Sequence, residues 1–274
     1  MKKLGKLLLA GVCAFGLVGC GGSSDSNSDK TIKVGATRVP HAQILNDVVK
    51  GELEKEGYTL EVTEFTDYVT PNTSLEDGEL DANYFQTLAY LEDQNSSRGM
   101  HLKAVAGVHY EAMAIYSKDL KALSDLKDGA SLAVPNDAQN ESRALELLAK
   151  NNLIELKEKD GLYNLQDISS NSHNYKIEEL EAANLPNSLE DVDAAVVNGN
   201  YALESDLGSK ANVLVSEDFN DEEAAPYINY LVVKDGNENT DKTKALVIAI
   251  QSDAVKDYVK KYNGAVVAKF TEGK

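Results

Sequence analysis

The chain has 274 residues, 42% hydrophobic and 26% charged, which suits one large folded domain or two lobes and excludes a disordered chain. Its formal charge is −18, from 27 basic and 45 acidic residues, which excludes nucleic acid as a partner because phosphates need a basic stripe. Both cysteines, Cys13 and Cys20, lie near the N-terminus, so the body has no thiol for catalysis, for a disulfide or for a cysteine-based metal site.

The chain opens with Lys2, Lys3 and Lys6, then a short apolar run over 7–18 and the box Leu17-Val18-Gly19-Cys20. The run is too short to span a bilayer, and charge, length and box together read as a bacterial lipoprotein signal. Residues 1–19 are expected to be removed and the Cys20 thiol to carry a diacylglycerol. That places the protein on the extracytoplasmic face of the cell membrane, held by lipid. Without the three leader lysines the mature charge is near −21. Residues 20–30 read as a flexible polar linker by composition.

Order is expected from Thr31. Residues 32–36 read as a strand, 38–40 as a turn, 41–55 as a helix and 58–65 as a second strand. A helix near 72–76, a strand near 80–83, a helix near 85–93 and a strand near 102–108 follow. This alternation implies parallel pairing and an α/β sheet. The segment Pro71-Asn72-Thr73-Ser74-Leu75-Glu76-Asp77 leading to Asp81-Ala82 is echoed by Pro186-Asn187-Ser188-Leu189-Glu190-Asp191 leading to Asp193-Ala194, with Ser74 and Ser188 114 residues apart. With matching openings at 32–36 and 131–135, the echo implies two similar α/β lobes split near Ser117. Such a pair on a lipid tether suggests a binding protein with its ligand between the lobes.

The helix after Val134-Pro135 carries the leading site candidate. Asn136 or Asp137 can cap it, and the stripe Asn140, Arg143, Ala144, Leu147, Leu148 begins polar and turns apolar. Arg143 offers a fork for a carboxylate, or an internal salt bridge with one of the many acids. Asn198, after the strand over 194–197, and Asn229, inside a strand over 226–233, offer amides to a zwitterion. Tyr84, Phe85, His109 and Met113 offer aromatic and thioether surface, although Tyr84 and Phe85 suit a core equally. The four histidines lack zinc spacing, and no phosphate loop or nucleophile elbow occurs. No metal, cofactor or catalytic residue is expected.

The segments Pro40-His41-Ala42, Asp67-Tyr68-Val69-Thr70-Pro71-Asn72, Asp81-Ala82-Asn83-Tyr84-Phe85-Gln86, Pro135-Asn136-Asp137 with Asn140-Glu141-Ser142-Arg143, and Asp193-Ala194 through Asn198-Gly199-Asn200-Tyr201-Ala202 resemble the NlpA/MetQ lipoproteins, substrate-binding proteins of methionine ABC importers. The resemblance runs from about residue 32 to 264. It implies a two-lobe type II binding fold with two hinge crossovers, lobe one comprising 31–117 and 230–274 and lobe two 118–229. It further implies a monomer that delivers L-methionine to a permease and its ATPase. Arg143 would hold the ligand carboxylate and Asn140, Asn198 and Asn229 its polar end. Tyr84, Phe85 and His109 would surround the thioether. One departure stands out: family members often read Gly-Pro-His-Ala after the first strand, where this chain has Arg38-Val39-Pro40-His41-Ala42. An arginine at the mouth could change ligand preference, towards another amino acid or a methionine-containing dipeptide. A secreted hydrolase and a surface adhesin of the same fold are the competing classes.

Overall fold

The computed structural model describes residues 30–274. The expected signal peptide, Cys20 and the linker up to residue 29 lie outside the described residues. Among the described residues no helix is long and apolar enough to cross a membrane.

Two mixed sheets, with strands numbered in chain order, organise the chain. The first runs β13 (Val267–Glu272), β4 (Leu102–Tyr110), β12 (Ile228–Lys234), β3 (Ala82–Thr87), β1 (Thr31–Thr37), β2 (Thr59–Phe65). The second runs β11 (Asn212–Ser216), β5 (Ala114–Ser117), β10 (Ala194–Val197), β6 (Ser131–Pro135), β9 (Lys176–Leu180), and β7 (Glu155–Leu156) with β8 (Ile168–Ser170) forms a small ribbon. In each sheet a leading strand pairs in parallel with one strand on either side: β1 with β2 and β3, β6 with β9 and β10. An antiparallel strand then follows the third, β12 beside β3 and β5 beside β10. Helices cover both faces, so the central strands read as apolar runs: Ile32, Val34 and Ala36 are inaccessible, as are Ala194 and Val197.

The internal echo therefore has a structural basis. Asp81 and Asp193 precede β3 and β10 and do the same work. The Asp81 carboxylate accepts from Lys33 N at 2.8 Å while its own N–H donates to Lys33 O. The Asp193 carboxylate accepts from Ser131 N and Oγ, both at 2.7 Å, and its N–H donates to Ser131 O. Each aspartate clasps the start of the neighbouring parallel strand and fixes its register.

Between β1 and β2 the chain is helical over 38–55, ending in α1 (Lys50–Lys55), with Val39 extended and the Val39–Pro40 bond cis. The remaining helices are α2 (Thr70–Glu76), α3 (Leu88–Arg98), α4 (Ala138–Lys150), α5 (Leu185–Ser188), α6 (Gly199–Glu204), α7 (Leu207–Lys210), α8 (Asp221–Ala224), α9 (Asp241–Ile250) and α10 (Asp253–Tyr258). The last two pack Leu246, Ile250 and Val255 against Ile32, Val34 and Leu45, returning the C-terminus to the first lobe.

Two expectations are corrected. Phe85 and Gln86 belong to β3 rather than to a helix, and α3 begins at Leu88. The cause is a buried amide triad: Gln86 Nε2 donates to Asn72 Oδ1 at 2.6 Å and Asn83 Oδ1 at 2.9 Å, and Asn83 Nδ2 donates to Asn72 Oδ1 at 2.8 Å. It holds β3 extended against α2, and the Thr87 side chain then caps α3. The crossing points also move. Residues 114–117 pair with β10 and β11 in the second sheet, and Ile228 and Asn229 pair with β4 in the first. The chain thus crosses at 111–113 and again at 217–227, where Glu217 N donates to Met113 O at 2.9 Å and joins the two crossings.

Candidate functional site

A cavity lies between the sheets. Of the expected residues, Phe85, Asn140, Arg143, Asn198 and Asn229 line it. Tyr84 and His109 do not. Both are fully buried one layer behind, which corrects the expectation that they surround a ligand. Tyr68, Gln86, Thr87, Tyr90, Glu111, Gly199 and Asn200 complete the wall.

α4 starts at this wall because Asp137 caps it, accepting from Asn140 N at 3.0 Å. The Asn140 side chain is spent locally. Its Nδ2 donates to Asp137, and its Oδ1 accepts from Asn198 Nδ2 at 2.8 Å. It orients Asn198, whose own Oδ1 is buried without a hydrogen-bond partner among the described residues. Asn200 mirrors it: Tyr68 OH donates to Asn200 Oδ1 at 2.5 Å, and Asn200 Nδ2 is buried without a partner. One unmatched acceptor and one unmatched donor therefore belong to residues that line the same cavity. Buried polar atoms are rarely left so, and the desolvation of each costs about 1–3 kcal/mol until something fills it.

Arg143 is only 4% exposed. Glu217 grips it in a bidentate fork, accepting from Nε at 2.7 Å and Nη2 at 2.6 Å, and Glu111 O accepts from Nη2 at 3.2 Å. Tyr227 stacks beneath the guanidinium at 4.1 Å. Of the two readings open at the sequence level, the internal salt bridge is present, and Arg143 still lines the cavity. Glu217 escaped the sequence reading because nothing local distinguishes it from the other acids; it also accepts from Tyr110 OH and Met113 N.

Beneath the cavity lies a polar layer from lobe one. Tyr84 OH donates to His109 Nδ1, and His109 Nε2 donates to Glu111 Oε1, each at 2.5 Å. Thr37 OH donates to His41 Nδ1 at 2.8 Å, and His41 Nε2 donates to Asn229 Oδ1 at 3.1 Å. That last bond turns the Asn229 amide nitrogen towards the cavity. Burial lowers the His41 pKa to about 4 and the His109 pKa to about 3, so both are neutral imidazoles. Burial raises that of Glu111 to about 7 against the pull of His41 and Arg143. His41, His109 and Glu111 place ligand atoms within 4.8 Å of one another, the one group of metal-ligand type found among the described residues. Their donors are directed at one another and at Asn229, so the cluster reads as a hydrogen-bonded layer.

Aromatic rings form the remaining wall. Tyr68 lies 5.9 Å from Phe85 and 5.8 Å from Tyr90, with Tyr201 behind it at 5.0 Å. Arg38 does not reach the cavity. It bridges the mouth, its Nη1 donating to Glu204 of α6 and its Nε to Glu64 of β2.

The chain as a whole has counterparts among known proteins. The membrane lipoprotein TpN32 of Treponema pallidum is 36% identical over 97% of this chain and 95% of its own length. The D-methionine-binding lipoprotein MetQ of Escherichia coli K12 is 39% identical over 93% of each chain. The solved structure of a Burkholderia cenocepacia nutrient-binding protein bound to methionine is 40% identical, with a TM-score of 0.82 over 87% of this chain and all of that one. The sequence pattern of the NlpA lipoproteins matches residues 32–270. The chain belongs to the NlpA lipoprotein family.

Proposed function

We propose that this chain is the membrane-anchored substrate-binding lipoprotein of an ABC importer, and that its cleft captures L-methionine for the permease. The observation that carries the reading is the pair of buried, unpartnered amide atoms, Asn198 Oδ1 and Asn200 Nδ2, in one cavity. An α-amino acid supplies both what an acceptor and what a donor lack: ammonium N–H groups and carboxylate oxygens. Arg143 and Asn229, which line the same cavity, add donors for the carboxylate. The ring group Tyr68, Phe85 and Tyr90 suits a thioether, since sulfur contacts aromatic edges favourably. The family consists of binding lipoproteins rather than enzymes. Cys20 supplies the anchor, and with two or more acyl chains it holds firmly.

Thermal shift across the twenty amino acids, D-methionine and methionyl dipeptides tests the ligand. L-Methionine at millimolar excess should raise the melting temperature most, by mass action. No shift with any of them overturns the reading, and a larger shift with D-methionine or a dipeptide reassigns the ligand. Radiolabelled palmitate should enter the wild-type chain and not Cys20→Ala.

A further inference from the structure

Glu111 stands in the cavity wall with its charge only partly answered by the protein. It is 6% exposed, on the 111–113 crossing. His109 donates to Oε1. Oε2 has no hydrogen-bond partner among the described residues and lies beside Gly199, where an added Cβ would come within 2.9 Å of it. The nearest fixed cation, Arg143, is committed to the Glu217 carboxylate and touches Glu111 only at its backbone carbonyl. The imidazoles behind it are neutral. An acid held in this way lacks a partner that is cationic, compact and rich in N–H donors. Asn198 Oδ1, the unmatched acceptor of the same cavity, lacks an N–H donor as well.

We propose that Glu111 is the specificity-determining residue for a free α-ammonium group, its Oε2 accepting an N–H of the bound amino acid with Asn198 Oδ1 as a further acceptor. His109 and Tyr84 are positioning residues that hold the carboxylate from behind. The inference rests on the amino-acid reading above and narrows it. A ligand whose nitrogen is acylated or missing leaves a buried carboxylate unpaired, and a site built around such a group rejects the analogue strongly. Gly199 belongs to the device, because any side chain there would occupy the space beside Oε2.

Calorimetry of the mature protein with L-methionine, N-acetyl-L-methionine and 4-(methylthio)butanoate is the test, repeated with Glu111→Gln. In the wild type the two ligands without an ammonium should bind about 100-fold more weakly or worse. Glu111→Gln should weaken L-methionine about tenfold or more while leaving 4-(methylthio)butanoate unchanged or tighter. Equal binding of all three ligands by the wild type overturns the inference, as does an equal loss for both ligands in the variant. If Glu111→Gln does not fold, the wild-type ligand series decides alone. Failure of the wild type to bind L-methionine at all overturns the amino-acid reading itself. Normal methionine binding with indifference to the ammonium overturns only the role of Glu111.

Discussion

The two lobes share a strand order and an aspartate clasp, yet they meet the cavity differently. Lobe one presents a polar layer whose interior groups are paired, and which opens to the cavity at Glu111 and Asn229. Its amides Asn72, Asn83 and Gln86 bond one another, and Tyr84, His109, His41 and Thr37 form chains that end at Glu111 and Asn229. Lobe two presents an incomplete one, in which Asn198 and Asn200 each leave an atom unmatched. The same residue type is structural at Asn72 and Asn83 and poised for a ligand at Asn198 and Asn200. What separates the two uses is whether a neighbour already fills every hydrogen-bonding position.

Arg143 joins the two halves of this comparison, and its loss should have the largest effect. Arg143→Ala removes a cavity donor and strands Glu217 in a dry interior, so binding should fall by about 2–5 kcal/mol and folding stability by about 3–5 kcal/mol. Replacing both partners separates the losses: Arg143→Met with Glu217→Met should recover most of the melting temperature and none of the binding, read by calorimetry and thermal melts. Recovery of binding would make the guanidinium purely structural.

The amides give the next test. Asn83→Ala breaks a closed network and should lower stability by about 1–3 kcal/mol with little change in affinity. Asn198→Ala should do the reverse, because it removes an acceptor that the folded protein leaves unused; affinity should drop by about 1–3 kcal/mol. Matching effects of the two variants would erase the distinction between the lobes.

Much of this was legible in the sequence. The echo of Asp81-Ala82 in Asp193-Ala194 marked two lobes because the same short segment recurs in each, although the clasps it makes reach partners 48 and 62 residues away. The stripe from Asn140 to Leu148 marked α4 because its period and cap are local. Asn198 could be placed after a strand, and Asn229 inside one, by pattern alone. The depth of Tyr84 and His109 could not, since both types suit a wall or the layer behind it, and only packing decides. Glu111 and Glu217 were hidden among 45 acidic residues. Their roles come from contacts at sequence separations of 32 and 74 with Arg143, which no local pattern encodes. The family's Asp-Ala-Asn-Tyr-Phe-Gln segment is likewise specific for a reason its residue types do not announce, since two of its amides build lobe one's closed triad.

A smaller effect concerns pH. The ionisable groups around Glu111 are His109 on its own segment, His41 after β1, Tyr84 on β3, Tyr68 before α2, Arg143 on α4 and Tyr262 after α10, whose pKa burial pushes up to about 12. Burial keeps both histidines neutral down to about 4 and 3 and raises Tyr68 and Tyr84 well above their ordinary range, and Arg143 stays charged. Between pH 5 and 8 Glu111, at about 7, is the member of this group that changes. An ammonium favours its ionised form, so bound ligand lowers this value and acid opposes binding. Methionine affinity should be steady above pH 7 and fall below it, approaching about tenfold per unit. Glu111→Gln should flatten the profile, and an unchanged slope in that variant would assign the pH dependence elsewhere.

The smallest expected effect lies at the mouth, where the lobes touch through Arg38. Its guanidinium reaches Glu204 of lobe two at 2.9 Å and Glu64 of lobe one at 3.2 Å, but 54% of the side chain is exposed. Exposed ion pairs contribute about 0–1 kcal/mol and weaken with salt. The pair with Glu204 exists only when the lobes are together, so what it adds goes to closure and not to either lobe alone. Arg38→Ala should therefore leave the ligand-free melting temperature nearly unchanged, speed methionine release up to about fivefold, and remove part of the salt dependence of that rate. Because Arg38 stands clear of the cavity, the order of preference among amino acids should be the same in variant and wild type. A changed order would bring Arg38 into ligand selection and give lobe one a recognition role at the mouth as well as beneath the cavity.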